Sequence, residues 1–191
     1  FDGSTVTMPD TAENQQAYPQ HPRQKPGVGF PLARIAVVFA LATGCVLDAA
    51  LCRFAGKGQS ELGLLRLLRS VFQPHDVMLA DRYLCSWFEI ALLMRQQVDM
   101  VCRLHQKRRA DFRRGQTLGA NDHLVRWPKP KLRPEWMDEA TYASLPGELV
   151  IREVLLDKDH ADMAVRCEML LYMACEVPVV ASNAGGLPEV I

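Results

Sequence analysis

The stretch that decides the fold is QPHDVMLADRYLCSWFEIALLMRQQVDMVCRL, residues 73–104. QPHD (73–76) reads as a turn, and VMLA (77–80) is a short buried strand that ends at Asp81. CSWFEIALLMRQQ (85–97) has the length and apolar content of a helix, and VDMVCRL (98–104) returns to strand composition. Strand, helix and strand in this order imply an α/β sheet with helices packed on it.

Working outward, ARIAVVFALA (33–42) and GCVLDAALCRF (44–54) read as adjacent strands of a hairpin. The apolar run from Ile35 to Leu51 approaches the length of a membrane span, but Thr43, Gly44 and Asp48 interrupt it. It is expected to form two buried strands with a turn between them. GKGQSELGLLRLLRSVF (56–72) places Leu at 62, 64, 65, 67 and 68 behind Ser60, which predicts an amphipathic helix with a serine N-cap. Residues 3–33 are rich in Pro, Gly, Gln and Thr and read as irregular surface, with a further strand ending at Asp2.

Lys plus Arg and Asp plus Glu balance at 22 each, so net charge identifies no partner. Apolar residues make up 49% of 191, enough to fill the core of one domain carrying a small insertion. Six cysteines (45, 52, 85, 102, 167 and 175) stand singly in apolar stretches with no CxxC pair. That pattern implies buried thiols in a reducing compartment rather than disulfides or a zinc site. No basic-plus-apolar leader is visible at the amino end.

The charge is uneven along the chain. Arg103, Lys107, Arg108, Arg109, Arg113, Arg114, Arg126, Lys129, Lys131 and Arg133 face only Asp111 and Asp122 within the same 31 residues. Residues 105–150 also hold Pro128, Pro130, Pro134 and Pro146 with little helical periodicity, which predicts an inserted strand-and-loop subdomain with one basic surface. Such a run fits a solvated loop. It equally fits phosphate contacts with base stacking by Trp127 or Trp136, and Trp127 fits a packing position as well. Contact with some six phosphates would give a log K against log salt slope of about −5.

Asp2 and Asp81 both stand at strand ends. Each fits an ordinary turn aspartate. Two carboxylates converging from neighbouring strands also suit hard divalent cations and phosphodiester chemistry.

FDGSTVTMPDTAENQQAYPQ, QKPGVGFPLARIAVVFALATGCVLDAAL, DVMLADRYLCSWFEIALL and HLVRWPKPKLRPEWMDEATYASLPGELVIREV together resemble the insertion-sequence-four-type transposases of the DDE superfamily, over residues 1 to about 157. The resemblance implies an RNase H-like mixed sheet with flanking helices (1–104) interrupted by a basic β-rich insertion (105–157). It implies two Mg²⁺ ions, for which Mn²⁺ substitutes, held by Asp2, Asp81 and a third acid. Arg82 then contacts phosphate. The implied activity is phosphodiester hydrolysis and strand transfer at transposon ends, with transposon-end and target DNA as partners and a homodimer in the synaptic complex. The implied setting is the bacterial cytoplasm, at the nucleoid, with no membrane partner. In some relatives a Trp of the insertion stacks on a flipped base, and Trp127 is the match.

The third acid of the family sits in Tyr-x2-Arg-x3-Glu-x6-Lys. Three residues after Tyr142 stands Leu145, and three after Tyr172 stands Cys175, so the pattern fails from either start. Glu168 has no fitting neighbours. The chain is therefore expected to lack the catalytic Glu, to be incomplete at both ends, and to be inactive alone. One alternative is a DNA-binding remnant without catalysis. The last residues, LLYMACEVPVVASNAGGLPEVI, instead resemble a donor-binding segment of GT-B glycosyltransferases, so 158–191 is read as an unrelated tail, and a sugar-transfer fragment is a further alternative.

Overall fold

The computed structural model describes residues 1–155, in which helices and three small sheets alternate. The glycosyltransferase-like tail and Glu168 lie outside the described residues.

β1 (Asp2–Thr7), β2 (Leu32–Ala40) and β3 (Cys45–Arg53) form an antiparallel sheet in that order. Asp2 stands opposite Val37 and Val6 opposite Ala33. Between β1 and β2 lies the short helix α1 (Ala12–Ala17), capped by Thr11, whose hydroxyl accepts from the Asn14 N–H. Residues 3–33 are thus more ordered than their composition suggests. Gly44, at φ 68°, donates to the Ala40 carbonyl at 2.8 Å and closes the β2–β3 hairpin in the left-handed region that glycine enters freely.

α2 (Glu61–Leu68) begins at Ser60, whose hydroxyl accepts from the Gly63 N–H at 3.2 Å as its spacing predicts. Leu64 and Leu68 pack against Ala36 and Val38 of β2, while Leu65 packs against Met78 in the next sheet. The helix is thus a wedge between two sheets. Each of these leucines contributes about 2 kcal/mol through removal from water.

The hairpin departs from its expected burial. Val38 is buried, but Val46 and Leu47 of β3 are 64% and 51% exposed. The reason is length: an eight-residue helix covers about 12 Å, while a nine-residue strand spans about 30 Å. Only the later part of β3, through Ala50 and Cys52, reaches the core. Cys45, at the uncovered end, is exposed rather than buried.

β4 (Val77–Ala80) pairs in parallel with β5 (Asp99–Cys102), Ala80 opposite Cys102, and α3 (Trp87–Arg95) is the crossover between them. This is the unit expected from residues 73–104. Seven of the nine residues of α3 are buried, so it is a central helix rather than an amphipathic surface one. Leu93 faces Met78, Ala80 and Val98. Trp87, Phe88, Ile90, Ala91 and Leu92 face Trp127, Met137, Leu145 and Leu149.

Those last four residues belong to the basic segment. There β6 (Gln116–Gly119), β7 (Asp122–Pro128) and β8 (Glu148–Val154) form an antiparallel sheet in sequence order. α4 (Glu139–Ser144) lies between β7 and β8, with Asp138 as its N-cap accepting from the Thr141 N–H at 2.7 Å. The Trp87 indole donates to the Trp127 carbonyl at 3.0 Å, so the core is continuous across residue 104. No helix of the described residues is long and apolar enough to cross a membrane.

Candidate nucleic-acid interface and carboxylate pair

Asp2 opens β1 and is exposed, with its Oδ1 accepting from the Gly3 N–H at 2.9 Å. A Cβ on Gly3 would lie 2.7 Å from Cγ of Glu61 at the start of α2, so a larger residue there would displace the Glu61 side chain. Asp81 follows β4 and is also exposed. Its Oδ1 accepts from the N–H groups of Tyr83 and Leu84 at 2.9 and 3.3 Å, capping the single 3-10 turn Arg82–Leu84. The Phe1 nitrogen donates to the Leu79 carbonyl at 3.2 Å, which ties the start of β1 to β4. Asp2 and Asp81 thus sit one and two residues beyond the two ends of a hydrogen bond. Arg82 is exposed beside Asp81.

Among the described residues, no group of three His, Cys, Asp or Glu side chains gathers in metal-binding geometry. Each of the two aspartates accepts from local backbone N–H groups on one oxygen.

The ten basic residues divide by what they touch. Arg126 pairs with Glu148, the Lys129 ammonium caps the Tyr142 and Leu145 carbonyls, and Arg133 donates to the Met137 carbonyl. These three brace the subdomain. Arg113 grips Asp111 through two bonds of 2.7 and 3.0 Å, which holds the Asp111 carboxyl down at about 2. Arg103 is half-buried, while Lys107, Arg109 and Lys131 are exposed. Arg108, Arg109 and Arg114 converge with Asp111, Val125, Trp127 and Glu153 on a cleft of about 250 Å³.

Trp127 is 5% exposed. The Arg108 guanidinium lies 3.8 Å from its ring centroid, and its Nε1 donates to Glu153 at 2.9 Å. The position is a packing one, with Arg108 occupying the face that a base would need.

Behind the cleft lies His123, a residue that sequence reasoning passed over. It is 1% exposed, with Nδ1 2.7 Å from the Arg114 carbonyl and Nε2 2.9 Å from Glu153. Both neighbours are acceptors, so the protonated ring satisfies both, and the hydrogen bond to Glu153 raises its pKa above the ordinary value. Its signal is the strand alternation of DHLVRWP, which turns His123, Val125 and Trp127 to one face of β7. The cysteines Cys85 and Cys102 also meet: the Cys102 thiol donates to Cys85 and draws that thiol down to about 7.

Comparison with protein families, curated proteins and solved structures finds no match for the chain in any of the three.

Proposed function

We propose that the chain is the DNA-binding part of an RNase H-like, DDE-type strand-transfer enzyme, in which the basic segment grips the phosphate backbone. Asp2 and Asp81 are its metal carboxylates, and Mg²⁺ its cation. When bound, the cations would activate water for attack on a phosphodiester. Because the family's Tyr-x2-Arg-x3-Glu-x6-Lys pattern finds no match in the sequence, the chain alone is expected to bind DNA without cutting it.

The observation that carries this reading is the Phe1–Leu79 hydrogen bond at 3.2 Å. It brings the start of β1 close to β4, though the two strands belong to separate sheets, and this nearness of Asp2 to the strand that Asp81 follows supports the reading. The basic loop supports the second half of the reading, since Lys107, Arg109 and Lys131 are exposed.

Fluorescence anisotropy of a labelled duplex across a salt series tests it, with the same duplex incubated with Mn²⁺ and run on a denaturing gel. Binding with a salt slope of about −5 and an intact duplex is expected. Binding that ignores salt, or none at about 50 mM salt, would remove the DNA reading. Mn²⁺-dependent nicks would show instead that the chain is catalytically competent by itself.

A further inference from the structure

We propose that the cleft between Arg108, Arg109 and Arg114 is a seat for one phosphate group. Three arginines, Arg108, Arg109 and Arg114, are among the residues that line a single cleft of about 250 Å³, and a planar fork of N–H donors matches phosphate oxygens pairwise. One carboxylate needs one fork, whereas a tetrahedral oxyanion can take several from different sides.

The two acids on the lining do not fill the site. Asp111 is held by Arg113 at 2.7 Å and by Arg114 at 3.3 Å. Glu153 accepts from the Trp127 indole at 2.9 Å and meets His123 at 2.9 Å. Each acid therefore already has partners within the protein.

Donors remain for a ligand. Arg109 is exposed and forms no ion pair among the described residues. Arg108 uses the flat of its guanidinium on Trp127, and stacking leaves the N–H groups along the edge unengaged. The end of the loop is held, because the Arg114 carbonyl meets buried His123 at 2.7 Å, so Arg114 loses less freedom on binding than a side chain on a free segment would.

The seat itself rests on the cleft's chemistry; assigning its occupant to the DNA backbone rests on the function proposed above. Two titrations of the full chain separate the sources. Inorganic phosphate is added while the arginine side-chain N–H resonances are followed by NMR, and a labelled duplex is titrated against wild type, Arg109→Ala, Arg109→Lys and Arg114→Gln. Saturable shifts at Arg108, Arg109 and Arg114 are expected, together with about tenfold weaker duplex binding and a salt slope reduced by about 1 in Arg109→Ala. Arg109→Lys keeps the charge but loses the fork, so it should fall between wild type and Arg109→Ala.

If phosphate moves none of the three and both Ala and Gln variants bind duplex like wild type, the seat is overturned, while the DNA reading survives on the other cations. If no duplex binds but phosphate saturates the cleft, the seat stands for a free phosphate and the DNA reading falls.

Discussion

His123 shows how one buried ring can make a pH-dependent fold. Its pKa is raised chiefly by Glu153, so the stabilisation it contributes is complete below the unfolded value of about 6.5 and is lost as pH rises through the higher folded value. The urea midpoint of the wild type should therefore fall as pH rises above about 6.5, and His123→Gln should flatten that fall. Because the hydrogen bond from Cys102 also lowers the pKa of the Cys85 thiol, the difference between the two chains is the quantity to read. Equal falls in both would rule out the ring. Legibility at this scale was uneven. Asp81 could be found from the strand that ends on it, and the structure does put it at the end of β4. His123 could not, because Glu153 lies thirty residues away and meets it only through the β7–β8 register. The ten cations were countable in the sequence. Which of them brace the subdomain and which face a cleft depends on carbonyls supplied by α4 and its flanks, and those have no signature.

Among the elements, α2 and the β4–α3–β5 unit were the most legible, since a serine cap and leucines at helical spacing are local signals. α4 was missed: six residues with a β-branched Thr141 carry little periodicity, and only the Asp138 cap marks it. The exposure of β3 was missed because composition records apolarity, not whether a covering helix is long enough. Leu64→Ala should cost about 2–5 kcal/mol in urea unfolding, since its side chain is 1% exposed between α2 and β2. Leu67→Ala, on the 68% exposed side of the same helix, should stay within about 0.5 kcal/mol. Ser60→Ala should lose about 1 kcal/mol through the missing cap. A similar cost for both leucines would mean that α2 does not present the wedge seen here.

For the whole molecule, the mixed α/β class followed from alternating patterns, but the joining of its parts did not. The basic segment reads in sequence as a separate subdomain, yet α3 supplies its core through Trp87, Phe88 and Leu92. Unfolding should accordingly be a single transition, with circular dichroism and tryptophan fluorescence giving coincident curves. Two displaced curves would mean that the parts melt independently. That shared helix also changes what a broken backbone would mean. Lys107, Arg109 and Arg113 stand exposed in the loop before β6, so brief trypsin treatment should cut there first. The two pieces should nevertheless co-elute in gel filtration, held by the packing of α3 against Trp127, Met137, Leu145 and Leu149. For the same reason, two separately expressed pieces divided at this loop should reconstitute one particle when mixed: covalent continuity is dispensable there, and non-covalent complementation replaces it.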